Sequence, residues 1–194
     1  MIVVSDTSAI TSLIQIGRED LLQRLFARVV IPAGVRDELL AFHNAVPLFL
    51  EVRQVGEIEK VQELADEIDR GEAEAIILAE ETGPDYLLMD DLEGRRIAIA
   101  KGLPVIGLLG ALVKAKRAGL IESLNAVISD LELRAGFRIS AELRADVLAA
   151  AGECVGALAC AYTIARRNPS GKFADAWTIL RKWRLRFMNQ PSSV

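Results

Sequence analysis

Short apolar runs rich in β-branched residues alternate along most of the chain with stretches whose apolar positions recur every three or four residues. Ile2-Val3-Val4, Val29-Val30-Ile31, Tyr86-Leu87-Leu88-Met89 and Val105-Ile106 are continuous and apolar. Such runs suit strands buried on both faces of a parallel sheet. Residues 48–55 predict a further strand.

The intervening segments read as helices. One runs from a Thr7 or Ser8 cap through Ile16 and stops at Gly17; a second carries Leu21, Leu22, Leu25 and Phe26. Pro32 opens a third, with Val35, Leu39 and Leu40 on its apolar side. The spacing predicts a charged amphipathic helix over 57–70, with Gly71 separating it from an Ala-rich helix that begins Glu72-Ala73-Glu74. Helices over about 93–101, 108–118, 121–135 and 140–151 follow. Strands alternating with helices imply an α/β protein: a three-layer α/β/α arrangement around a mainly parallel sheet. Ligands of such sheets bind at the carboxyl ends of the strands.

Composition narrows the chemistry. The 194 residues contain two cysteines, Cys154 and Cys160, and one histidine, His43. This disfavours disulfide scaffolds, zinc sites built on several thiolates or imidazoles, and nucleophile–histidine catalysis. His43 reads as a loop residue and the cysteines as small buried ones. No segment reads as a signal peptide or a membrane span, so a cytoplasmic protein is expected.

Charge marks a boundary near 152. From Glu153 on there are seven basic residues and two acids, whereas the first 152 residues carry a net −9. Residues 1–152 are therefore read as one domain and 153–194 as a basic, aromatic-containing extension, helical or partly disordered. In it Phe173, Trp177, Trp183 and Phe187 interleave with Arg181, Lys182, Arg184 and Arg186.

Acidic residues stand where the chemistry of this architecture is expected. Asp6 and Asp90 end predicted strands, Glu38 lies on the helix after Pro32, and Glu72 and Glu74 open the Ala-rich helix. Each has a plain alternative as a cap, a solvated residue or a complement to a helix dipole. Were they to converge, their repulsion would call for a divalent cation, and oxygen-only ligands select Mg²⁺ or Mn²⁺.

Four segments add a resemblance. Val3-Val4-Ser5-Asp6-Thr7-Ser8-Ala9 is similar to the opening motif of PIN-domain nucleases, the family of VapC-like toxins. Ile31-Pro32-Ala33-Gly34-Val35-Arg36-Asp37-Glu38-Leu39 resembles their second motif. Gly71-Glu72-Ala73-Glu74-Ala75-Ile76 and Leu87-Leu88-Met89-Asp90-Asp91 resemble the third and fourth. Gly94-Arg95-Arg96 and Val105-Ile106-Gly107-Leu108-Leu109-Gly110 resemble a PIN-like subfamily of predicted nucleic-acid-binding proteins. The likeness covers roughly residues 2–151.

The resemblance implies an acidic quartet of Asp6, Glu38, Glu72 and Asp90, with Asp6, Glu72 and Asp90 as ligands of Mg²⁺ or Mn²⁺. Glu72 stands where many relatives carry aspartate, and Glu74 and Asp91 are candidates to share its task. Ser8 matches a position that hydrogen-bonds within the site. The implied activity is metal-dependent cleavage of single-stranded RNA, with Arg95 and Arg96 positioning phosphates. A small antitoxin partner and a homodimer are implied with it. The alternative is a catalytically weak or inactive PIN-like module that binds RNA or protein. Receiver domains and haloacid-dehalogenase-like hydrolases fit poorly, because Ser5, Thr7 and Ser8 stand where those folds need acids.

Overall fold

Ile2–Ser5 forms the central strand β1, and helices α1 (Thr7–Ile16) and α2 (Asp20–Leu25) carry the chain to β2 (Arg28–Pro32) in a computed structural model that describes residues 1–153. Helix α3 (Ala33–Phe42) leads to β3 (Leu50–Arg53), then come α4 (Ile58–Leu64) and α5 (Arg70–Thr82). Strand β4 (Tyr86–Leu88), α6 (Leu92–Ala100), β5 (Val105–Ile106), α7 (Leu108–Arg117) and α8 (Leu124–Arg134) complete the sequence of elements up to Arg138. Two units divide the chain, Met1–Arg138 and Ile139–Val194. The described part of the second holds α9 (Ala141–Ala150), whose first turn is capped by Ser140 accepting from the Leu143 amide at 3.2 Å. The extension assigned to 153–194 lies, from Cys154 on, outside the described residues.

The sheet of the first unit is parallel throughout, in the order β3-β2-β1-β4-β5. Strand order runs one way from β1 to β3 and the other way from β4 to β5, so it reverses between β1 and β4. Crossovers of constant hand then place helices on opposite faces. In register, Val4 stands between Val30 and Leu87. These three, with Met89, bury one face against α4, α5 and α6 through Val61, Ala73, Ile76, Ile77 and Ala98. Alternate residues face the other way. There Tyr86 meets Phe26 edge to face at 6.4 Å, and the Lys114 ammonium of α7 lies 4.8 Å over its ring.

Each fully buried valine or leucine contributes roughly 1.5–3 kcal/mol. Val3, Val4, Leu87 and Leu88 are all buried, whereas Val105 and Ile106 of edge strand β5 are half-buried. The strands that end at Asp6 and Asp90 are thus anchored in the core, unlike the edge strand β5.

Helix ends follow local chemistry. Gly17 takes the left-handed conformation (φ 69°) that ends α1, and its amide closes on Ile14 and Leu13. Two expectations are corrected. The α1 cap is Asp6, not Thr7 or Ser8: its carboxylate accepts from the Ala9 amide at 3.4 Å. The single helix expected over 57–70 ends at Leu64, and α5 begins at Arg70 after extended Asp69. Gly71 is therefore not a separator but the second residue of α5.

Glu74 joins two helices that carry other acids. It is buried on α5, accepts from the Gly34 amide in the first turn of α3 at 2.7 Å, and accepts from Arg70 Nε at 3.0 Å. Its carboxylate lies where a Gly34 side chain would be: a Cβ there would stand 2.5 Å from the nearer oxygen. Removing the carboxylate orphans a partly buried amide, which costs about 1–3 kcal/mol. Glu74→Ala is therefore expected to lower the unfolding free energy by that amount, read as a lower urea midpoint with little change in slope; an unchanged midpoint would show that this link does not hold α3 to α5.

Candidate acidic site

The reversal between β1 and β4 opens a crevice at the carboxyl ends of those strands, where doubly wound sheets bind ligands. Asp6 follows β1 and Asp90 follows β4, and the Asp6 amide donates to the Leu88 carbonyl at 3.1 Å. Two carboxylates predicted at strand ends are thus held side by side.

Asp6 is 1% exposed. One oxygen accepts from Ala9, while Oδ2 is buried without a hydrogen-bond partner. Burial pushes its pKa up to about 7. The Ala9 amide opposes the shift, the Asp90 charge adds to it, the Asp90 amide opposes it without meeting hydrogen-bond geometry, and the Glu72 charge adds again.

Asp90 is half-buried and accepts from the Leu108 amide at the start of α7 at 3.0 Å. Burial raises its pKa, opposed by that amide and by the Arg95 guanidinium. Gly107 makes room for both, since a Cβ there would lie 2.9 Å from Asp90 Oδ1 and 2.7 Å from Arg95 Nη1.

Glu72 occupies the first turn of α5 and is half-buried. Its pKa is pushed up to about 7, first by burial and then by the charges of Asp91, Asp69 and Glu38. One Glu72 oxygen reaches toward α6, where a Cβ on Gly94 would stand 3.4 Å away. Glu38, half-buried on α3, accepts a hydrogen bond from the Thr7 hydroxyl. Its carboxylate lies over the Gly71 backbone.

The quartet is thus one electrostatic neighbourhood: Asp6 feels Asp90 and Glu72, and Glu72 feels Glu38. The other candidates fall around it with different duties. Asp91 caps α6, one oxygen accepting from Glu93 and Gly94 at 2.8 and 2.9 Å. Glu74 is spent on the α3–α5 link. Ser8 is exposed, and its carbonyl accepts from the Ser12 hydroxyl. Arg95 turns inward, donating to the Met89 carbonyl at 3.0 Å. Arg96 lies on the outer side of α6, paired with Glu93. His43 approaches Thr11 at 3.4 Å, on the helix that starts beside Asp6.

Sequence reasoning missed Thr7 and the glycines 71, 94 and 107. A glycine inside a helix costs about 0.5–1 kcal/mol relative to alanine, so Gly71 at a helix start was a visible signal of close approach.

The donors suit a hard cation: all are carboxylate oxygens, one is buried without a partner, and burial raises the pKa of three of the four. Among the described residues, no three of them are yet set as a ready cation cage.

A family model described as a PIN domain (DUF3368) matches residues 2–153. Comparison with curated proteins and with solved structures yields no significant match.

A carboxyl whose pKa rises on folding, from 3.8 to about 7 for Asp6, holds its proton more tightly in the folded chain. Folding then takes up protons between these values, and stability falls as pH rises through that window. With chelator present, the chain is expected to unfold at lower urea at pH 8 than at pH 5. Asp6→Asn keeps an oxygen for Ala9 and removes the charge. It should flatten this slope and be more stable than wild type at pH 8, by up to about 4 kcal/mol; a slope unchanged by the substitution would locate the acid sensitivity elsewhere.

Proposed function

Because the chain belongs to the PIN-domain family, a family of nucleases, we propose that it is a metal-dependent endoribonuclease acting on single-stranded RNA. The observation that supports this most is the pairing of Asp6 and Asp90 at the strand-order reversal, with a buried carboxylate oxygen left free between them. Asp6, Glu72 and Asp90 are the residues that would hold Mg²⁺ or Mn²⁺. Bound there, the cation would supply Lewis-acid activation of water and charge stabilisation on a phosphoryl oxygen.

The chain's own residues define the rest. Glu38 is the proposed acceptor of the attacking water's proton as the new P–O bond forms and the bond to the leaving ribose oxygen breaks. Arg95 moderates the charge of Asp90 and so keeps that carboxylate available. Arg96, exposed beyond the first turn of α6, is the proposed phosphate contact, exchanging Glu93 for the backbone of the RNA. Asp91 and Ser8 stand at the rim as supporting residues, Asp91 through the α6 start and Ser8 through its exposed hydroxyl.

The proposal extends to context by family likeness: the toxin of a toxin–antitoxin pair, cytoplasmic, homodimeric, and held in check by a small antitoxin protein. No helix among the described residues is long and apolar enough to cross a membrane.

A second reading, a PIN-like module that binds RNA or protein without turnover, draws support from the open arrangement of the carboxylates and from glutamate at 72. Purified protein with Mn²⁺ or Mg²⁺ is expected to cleave single-stranded RNA and to stop on chelation. Asp6→Asn and Asp90→Asn should each lower the rate by at least about 10²-fold while the fold is kept. Cleavage retained in Asp6→Asn overturns the assignment, and RNA binding without cleavage by wild type favours the second reading.

A further inference from the structure

Glu38 and Glu72 are the members of the quartet that helices rather than strand ends supply, and two residues outside the quartet touch the Glu38 carboxylate. Thr7, the residue after Asp6, donates its hydroxyl to Glu38 Oε2. Gly71, the residue before Glu72, lies flat beneath the same carboxylate: a Cβ there would stand 2.6 Å from one oxygen, 2.9 Å from the other and 3.0 Å from Cδ. Each contact is one peptide unit from another acid. The position of Glu38 is thereby tied to Asp6 through Thr7 and to Glu72 through Gly71.

Neither contact is needed by the fold. The α1 cap is Asp6, so the Thr7 hydroxyl is not spent on its own helix. Helix α3 is anchored by fully buried Val35 and Leu39 and, at its start, by Glu74 on Gly34. Gly71 has no left-handed φ to satisfy, so alanine would suit its backbone, and the nearest atoms a Cβ would meet are those of the Glu38 carboxylate. That carboxylate ends a flexible side chain, so a Cβ at 71 would displace Glu38 rather than break the helix.

We propose that Thr7 and Gly71 are positioning residues that set the Glu38 carboxylate against Asp6 and Glu72. The inference rests on the nuclease reading only for its kinetic consequence. Thr7 acts from one side as a hydrogen-bond donor, and Gly71 acts from the other by the side chain it lacks.

The test uses the full chain with ¹³C-labelled glutamate, the Glu38 Cδ resonance being assigned by its loss in Glu38→Gln. Thr7→Val and Gly71→Ala are each expected to shift that resonance, and Thr7→Ser to leave it in place. On single-stranded RNA with Mn²⁺, Thr7→Val and Gly71→Ala should lower kcat roughly 10- to 100-fold, the scale of a catalytic group misplaced by about 1 Å. KM and the calorimetric affinity for Mn²⁺ should stay near wild type. Thr7→Ser should keep most of the rate, and Gly71→Ala should lose rate without losing thermal stability. In a Glu38→Gln background, Thr7→Val should cost nothing further. A Glu38 resonance unmoved in both variants, or a Thr7→Val loss undiminished in that background, overturns the proposal. A wild-type chain that cleaves no RNA with either metal removes the nuclease reading alone, and the carboxyl resonance then decides the positioning by itself.

Discussion

Like charges gathered in a partly dry crevice govern this structure. Two unit charges about 4 Å apart repel by about 4 kcal/mol at an effective dielectric of 20. Asp6 and Glu72 each open a helix, Asp91 caps α6, and Asp90 accepts from the first amide of α7. A helix N-terminus favours a carboxylate by about 0.3–1 kcal/mol, up to about 2 where partly buried. These contributions fall short of the repulsion and desolvation together, and Asp6 and Glu72 accordingly remain at about 7 rather than near 4. At neutral pH the crevice is settled by protons or by cations, and the two compete for the same oxygens.

The fold tolerates that crowding by removing bulk as well as by supplying amides. Glu74 rests against Gly34, Glu38 against Gly71, Glu72 against Gly94 and Asp90 against Gly107. Four carboxylates and four glycines are matched, each pair joining two elements distant in sequence. Helix interiors lose stability wherever glycine replaces alanine, so such a set persists only where something must approach the backbone closely. The buried strands β1 and β4 supply the rigidity that those glycines give up.

The sheet was readable because its signals are local. Ile2-Val3-Val4 and Tyr86-Leu87-Leu88 announce buried strands by composition alone, and an acid after such a strand in an alternating pattern falls at the ligand-binding edge. Asp6 and Asp90 could therefore be chosen on position, as could Glu72 at a helix start. The remainder depended on contacts between residues far apart in the chain. Nothing near Thr7 shows that its hydroxyl belongs to Glu38, 31 positions away. Glu74 looks like an equal of Glu72 in sequence, yet two residues along a helix turn it to a different face, where Gly34 claims it. Gly71 read as a break because glycine more often ends helices than begins them, and nothing in the sequence shows that Arg95 turns back to the Met89 carbonyl.

The Gly94-Arg95-Arg96 step gains a physical meaning from the same crowding. Glutamate at 72 has one more methylene than an aspartate would, and one of its oxygens reaches toward Gly94 of α6. A Cβ at 94 would stand 2.7 Å from Met89 Sδ and only in ordinary contact, 3.4 Å, with the Glu72 oxygen, so glycine there makes room chiefly for Met89. Arg95 turns back to the Met89 carbonyl beside Asp90, where its charge opposes the rise that burial imposes on that carboxyl. Arg96, a further 100° around the helix, faces solvent beside Glu93. Three consecutive residues thus serve three places: room for Met89, a cation beside Asp90, and a cation paired with Glu93 on the outer side of α6.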